Sequence, residues 1–143
     1  MADPLRIGLI GCGGIVQQSH VPGLLEIPEL VQIGAVADPV EANRDRIGQT
    51  CGVPVERRFD DYRDLLGAGD LDAVIIATPH SLHAEQAIQA ASAGLVIVSE
   101  NPMATSLDDA DAVLEAVGRS GVIYTVVHNF LYMPGTLEAC RLL

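Results

Sequence analysis

Near its start the chain reads RIGLIGCGGIV, an apolar stretch broken by Gly11-Cys12-Gly13-Gly14 and resumed at Ile15-Val16. A strand has to stop where the glycines begin and a helix has to start where they end, because Gly11 permits the tight turn that joins them. A strand that feeds straight into a helix calls for a second, parallel strand, since the helix needs a sheet face on which to bury its apolar side. The same alternation of short apolar runs and amphipathic stretches continues to the end of the chain. It predicts strands over residues 6–10, 31–37, 55–58, 73–77, 95–99 and 122–127, and helices over 14–25, 40–51, 61–66, 82–93 and 107–120.

Such a pattern implies an α/β fold: a doubly wound, Rossmann-type sheet of about six mainly parallel strands with helices on both faces. Composition agrees, because 49% of the residues are hydrophobic while Trp is absent and Phe numbers only two. The core is therefore built from Ala, Val, Ile and Leu, as expected for strands covered on both sides. The fifth helix is the clearest: Ala110, Val113, Leu114 and Val117 share one face, and Ser106 stands three residues before Asp109 as in a capping box. Gly94 and Gly121 fall where a helix must end and turn into a strand. No repeat, low-complexity tract or linker interrupts the chain before about residue 128.

Charge and cysteines narrow the partners. Eight basic against 19 acidic side chains give a net charge of −11, which repels nucleic acid and anionic lipid. The only basic pair, Arg57-Arg58, reads as a solvated loop. Cys12, Cys51 and Cys140 are odd in number and widely spaced, so neither a disulfide framework nor a metal site is expected and a reducing cytoplasm fits. No signal peptide and no run of about 18 apolar residues is found, so export and membrane insertion are not expected either.

The chemistry gathers at the ends of the strands. Gly11 allows the turn, Gly13 lets backbone approach a pyrophosphate, and the following helix N-terminus offers unpaired N–H groups and positive dipole for its charge. The last position of that fingerprint holds Val16 where Gly or Ala is usual, which loosens the helix-strand packing or shifts the helix. The second strand ends AVADP, placing Asp38 where a carboxylate hydrogen-bonds the adenosine ribose. A glycine turn plus a helix-capping Asp is the competing reading. Asp38 repels a 2′-phosphate, and Arg44 and Arg46 fall inside the next helix, so NAD is preferred over NADP. The fourth strand runs off into ATPHSLHAE, which brings Thr78, His80 and His83 to the carboxyl edge where ligands of open α/β folds bind. Taken singly, His20, His83 and His128 read more simply as structural residues.

In this order GLIGCGGI, AVADP, ATPHSLHAEQAIQAASAG, SENPMA and HNF cover nearly the whole chain, and together they resemble the nucleotide-binding domain of the Gfo/Idh/MocA family, the glucose-fructose oxidoreductase and inositol dehydrogenase group. The resemblance implies NAD(P)-dependent oxidoreduction of sugars, cyclitols or their derivatives, with residues 1–128 as the cofactor domain. It further implies that Gly11, Gly13 and Gly14 hold the pyrophosphate and Asp38 the adenosine ribose, with Cys12 and Ile15 also among the cofactor-binding residues. Ala77, Thr78, Pro79 and His80 would lie along the middle of the cofactor, supported by His83. Glu100 would face the nicotinamide half, with Asn129 at the entrance of a substrate cleft.

Two departures from the family bear on activity. Family members usually read Glu-Lys-Pro where this chain has Glu100-Asn101-Pro102, and there is no lysine anywhere in it. Asn101 can orient a ligand by hydrogen bonding but carries no charge and does not titrate near neutral pH, so its catalytic role is doubtful. Relatives also continue into a second domain that takes the sugar or polyol substrate, and residues 129–143 resemble only the start of the helix leading there. The chain alone is thus expected to bind a dinucleotide without turnover, as an oxidoreductase cofactor domain or, alternatively, as a non-catalytic NAD-binding sensor or regulatory module. The apolar residues Val122, Ile123, Val126, Phe130, Leu131, Tyr132, Leu137, Leu142 and Leu143, uncovered on a lone domain, suggest a homo-oligomer.

Overall fold

The computed structural model describes residues 3–142. Its strands are β1 (Leu5–Ile10), β2 (Val31–Ala37), β3 (Arg58–Phe59), β4 (Ala73–Ile76), β5 (Val96–Ser99) and β6 (Tyr124–Val126). All pair in parallel, in one sheet of order β3-β2-β1-β4-β5-β6. A π-helical turn over Val16–His20 runs into α1 (Val21–Leu25), and α2 (Glu41–Thr50), α3 (Tyr62–Leu66), α4 (His83–Ser92), α5 (Leu107–Ser120) and α6 (Pro134–Leu142) follow. This is the doubly wound architecture that the alternating pattern implies.

β4 shows how one sheet serves two cores. Successive side chains of a strand point to opposite faces. Ala73, Ile75 and Ala77 accordingly pack with Val16, Val21 and Ile47, whereas Val74 and Ile76 pack with Leu65, Ala87 and Val113. Helices therefore cover both faces, with α1 and α2 on one and α3, α4 and α5 on the other. In β2 the alternation slips, because the register with β1 shifts between Ile7 and Gly8, opposite Ile33 and Ala35. Gly34 is the extra residue of this bulge, and it allows Ile33 and Val36 to reach the same core although they are three apart.

Helix ends follow their local signals. Ser106 Oγ accepts from the Asp109 N–H at 3.1 Å and donates to Asp109 Oδ2 at 2.7 Å, the expected cap of α5. Gly121 closes the same helix in the left-handed conformation, at φ 71°, with its N–H on Val117 O. The strand expected over 55–58 is a correction. Val55–Arg57 form a 3₁₀ turn and only Arg58 and Phe59 pair with Val36 and Ala37. Arg58 turns its guanidinium back onto Val53 O, Nε at 2.9 Å and Nη2 at 2.7 Å, so a turn rather than a ladder satisfies this segment. β6 is likewise shorter than expected, and a 3₁₀ turn over His80–Leu82 precedes α4.

From β1 the chain moves outward to β2 and β3, then returns to β4 on the other side and continues to β5 and β6. The carboxyl ends of β1 and β4 thus flank a switch point, where open α/β sheets bind ligands. Beyond β6 a 3₁₀ turn over Asn129–Tyr132 leads to α6, which buries none of its residues. Leu143 lies outside the described residues.

Candidate cofactor site

Gly11 is wedged between the ends of β2 and β4. Its N–H donates to Ala37 O at 2.8 Å, its φ is +94°, and a Cβ added to it would lie 2.5 Å from Ala77 O. Gly13 is the opposite case, since a Cβ there would meet nothing within 4 Å. Between them the Cys12 N–H donates to Asp38 Oδ2 at 2.7 Å, while Asp38 Oδ1 accepts the Val40 N–H at 2.8 Å. The Asp38 carboxylate therefore ties the glycine loop to the end of β2, and it is held almost buried at the edge of a cleft of about 540 Å³. Gly11, Gly13, Thr78 and Pro79 line the same cleft, with Tyr62, Leu82 and Glu85 on its far side.

The loop is also braced from outside. Gln17 Nε2 donates to Cys12 O at 2.8 Å, and Arg46 Nη1 donates to Gln17 Oε1 at 2.8 Å. Arg44 is closer to the loop than its place in a helix suggests, because its Nη1 reaches back to Asp38 O at 2.7 Å. The Cys12 side chain turns into the core, where burial and then the Asp38 carboxylate push its thiol up to about 12, so it packs rather than reacts. Val16 is fully buried, and the helix widens into its π turn at that residue. Such turns are frequent at functional sites.

At the end of β4, Thr78 Oγ1 donates to Gln86 Oε1 at 2.6 Å. His83 is fully buried, with Nδ1 2.7 Å from Pro102 O and Nε2 2.9 Å from Thr78 O, so one imidazole bridges the loops after β4 and β5. His80 is exposed, packs edge-on against His83 at 5.6 Å between ring centroids, and lines neither of the two main clefts of the carboxyl edge.

The second cleft, about 560 Å³, lies on the other side of the glycine loop and is lined by Ile15, Glu100, Asn101, Asn129 and neighbours from the turn after β6. The Glu100 N–H donates to Ile76 O at 2.8 Å, and Glu100 Oε1 lies 2.6 Å from His20 Nε2. Asn101, followed by a cis peptide bond to Pro102, is exposed at the rim. The structure thus brings Gly11, Gly13, Asp38, Ala77, Thr78 and Pro79 to one cleft, and Ile15, Glu100, Asn101 and Asn129 to the other. Cys12, Gly14 and His83 lie outside the lining of both.

The link from His20 to Glu100 and that from Gln86 to Thr78 escape the sequence pattern. Position 20 carries no signal pointing to a partner 80 residues away. Gln86 reads as one more polar residue of a helix, although it is buried there. Among the described residues no group of three or more His, Cys, Asp or Glu could hold a metal ion, and no helix is long and apolar enough to cross a membrane.

Open space over Gly13, a helix N-terminus behind it and a fixed carboxylate at the end of β2 suit a dinucleotide, with the pyrophosphate over the glycines and a ribose on Asp38. On a sheet of this order they define a Rossmann-type dinucleotide-binding domain. The family model GFO_IDH_MocA, described as an oxidoreductase family with an NAD-binding Rossmann fold, matches residues 5–128. The chain belongs to this family.

Among its relatives are an uncharacterized oxidoreductase, YrbE, of Bacillus subtilis, 34% identical over 94% of this chain and 38% of its own length, and scyllo-inositol 2-dehydrogenase (NAD(+)) of the same organism, 29% identical over 99% of this chain and 40% of its own. Among solved structures, the WlbA dehydrogenase from Bordetella pertussis in complex with NADH and UDP-GlcNAcA superposes with a TM-score of 0.88 at 29% identity, over 96% of this chain and 41% of that one. The 3-ketoreductase KijD10 from Actinomadura kijaniata, in complex with NADP, gives 0.87 at 27% identity, over 97% of this chain and 43% of that one. The chain spans about two fifths of the length of these relatives.

Proposed function

We propose that this chain is the cofactor half of an oxidoreductase that moves a hydride between a nicotinamide and a hydroxyl of a sugar- or cyclitol-like substrate. The observation that carries the reading is the Asp38 carboxylate, fixed by two backbone N–H groups beside a glycine loop whose open side faces the cleft. Relatives that act on an inositol or bind a sugar nucleotide support the substrate class. Residues 1–128 form the cofactor domain, and residues 129–143 begin the helix that leads to a second, substrate-binding domain. With Asn101 in place of a titrating group, the 143 residues bind cofactor without turnover. That same residue favours the second reading, a non-catalytic NAD-binding sensor or regulatory module. Three free thiols suit a reducing, cytoplasmic setting.

NAD is the preferred cofactor. A 2′-phosphate would enter beside Asp38, and the guanidinium of Arg44 is engaged by the Asp38 carbonyl. Calorimetric titration is expected to show NAD binding at least about tenfold more tightly than NADP, a difference of about 1.4 kcal/mol. Asp38→Ala should narrow that gap by relieving the repulsion. Equal affinities in the unmodified chain would remove Asp38 from this role.

The face around α6 gives the domain a partner in itself. Phe130, Tyr132 and Leu137 are 71%, 77% and 54% exposed, as is Ile123 beside β6 at 68%, and exposed apolar side chains in number mark protein contacts. Light scattering is expected to show dimers at high protein concentration and monomers after Phe130→Ser with Leu137→Ser. A strict monomer throughout would count against self-association.

A further inference from the structure

The second cleft has a single carboxylate in its lining, that of Glu100. None of the eight arginines lines it, and the chain has no lysine. Glu100 is fixed there from behind, by its N–H on Ile76 O and by His20 on its carboxylate. His20 is not part of the lining, so it is the carboxylate of the pair that belongs to the cleft. His128 is the one other titratable side chain in the lining, and it is exposed.

Sheet order decides which part of a ligand arrives there. A dinucleotide with its adenosine ribose on Asp38, at the end of β2, crosses the glycine turn after β1 and lays its other half over the ends of β4 and β5. Glu100 directly follows β5. The nicotinamide ring on that half is a cation when oxidised and neutral once it carries the hydride. We propose that this site reads the redox state of its cofactor: Glu100, held by His20 and flanked by the uncharged Asn101, makes it bind oxidised NAD more tightly than NADH. The proposal rests on the cofactor reading above and adds a regulation to it, since occupancy of the domain then follows the ratio of oxidised to reduced cofactor. An opposite charge a few ångströms away across a partly solvated cleft changes affinity by about five- to tenfold.

The test is calorimetric titration of the 143-residue chain with NAD, NADH and ADP-ribose at low salt. NAD should bind about five- to tenfold more tightly than NADH. Glu100→Gln, which keeps the shape and can still hydrogen-bond His20, should bring the two affinities together. ADP-ribose has no nicotinamide, and its affinity should move less than about twofold on that substitution. Asn101→Lys should erase the preference by placing a cation beside Glu100. NADH binding as tightly as NAD to the unmodified chain, or a preference that survives Glu100→Gln, would overturn the proposal while leaving the cofactor reading intact. Failure of ADP-ribose itself to bind would sink the cofactor reading, and this inference with it.

Discussion

Gly11→Ala is expected to lower the melting temperature by about 10 °C and to abolish dinucleotide binding. Two terms add: a positive φ that side chains avoid, and a methyl group 2.5 Å from the backbone oxygen of Ala77. The carbonyl cannot rotate away as a flexible side chain would, because Ala77 is also pinned by its N–H to Ile10 O. Together they destabilise by about 3 kcal/mol. Gly13→Ala is the control. With nothing within 4 Å and no positive φ, it should change stability by less than about 0.5 kcal/mol. Its methyl would stand where a pyrophosphate has to approach, so NAD affinity should fall by about tenfold or more. Thermal unfolding and NAD titration of both variants separate folding from binding. A Gly13→Ala chain that binds as well as the unmodified one would remove the pyrophosphate from the place assigned to it.

The largest gain is expected from Asn101→Lys when a substrate domain is present. Fused to the second domain of a relative such as the scyllo-inositol dehydrogenase of Bacillus subtilis, the lysine form should turn over about 10²- to 10⁴-fold faster than the asparagine form. Asn101 is exposed at the rim of the second cleft, where a longer side chain has room to reach a reacting hydroxyl. An amide can neither take that hydroxyl's proton nor return it. The 143-residue chain should stay inactive with either residue, because nothing on it encloses a sugar. NADH absorbance with a panel of sugars and cyclitols would show this. Turnover by the unmodified chain, or equal rates from the two fusions, would end the idea.

What could be read in advance was what the backbone demands locally. Gly11 and Gly121 stand at positive φ, and Ser106 caps the helix it precedes. Asp38 could be placed because a strand ending and a tight turn leave little choice of position. β3 was read too early, over 55–58, since only Arg58 and Phe59 are recruited by β2 and the residues before them form a turn. The partner of His20 was opaque for a different reason: a side chain's partner depends on which elements the fold brings together. His20 and Glu100 stand at opposite ends of the chain's course yet 2.6 Å apart, because β1 and β5 are both neighbours of β4. The π-helical turn that begins at Val16 had no signal in the periodicity, which read one helix over 14–25.

The buried imidazole of His83 gives the site a mechanical property. Past Ile76 and Ser99 the ladder between β4 and β5 ends, and two strands leaving a twisted sheet would ordinarily splay apart. Instead the ring of His83, which water does not reach, fills the space between Thr78 O and Pro102 O and donates to one of them. The two loops are therefore spaced by the chain itself, and a ligand that lay across them would find little ordering of the protein left to oppose its binding.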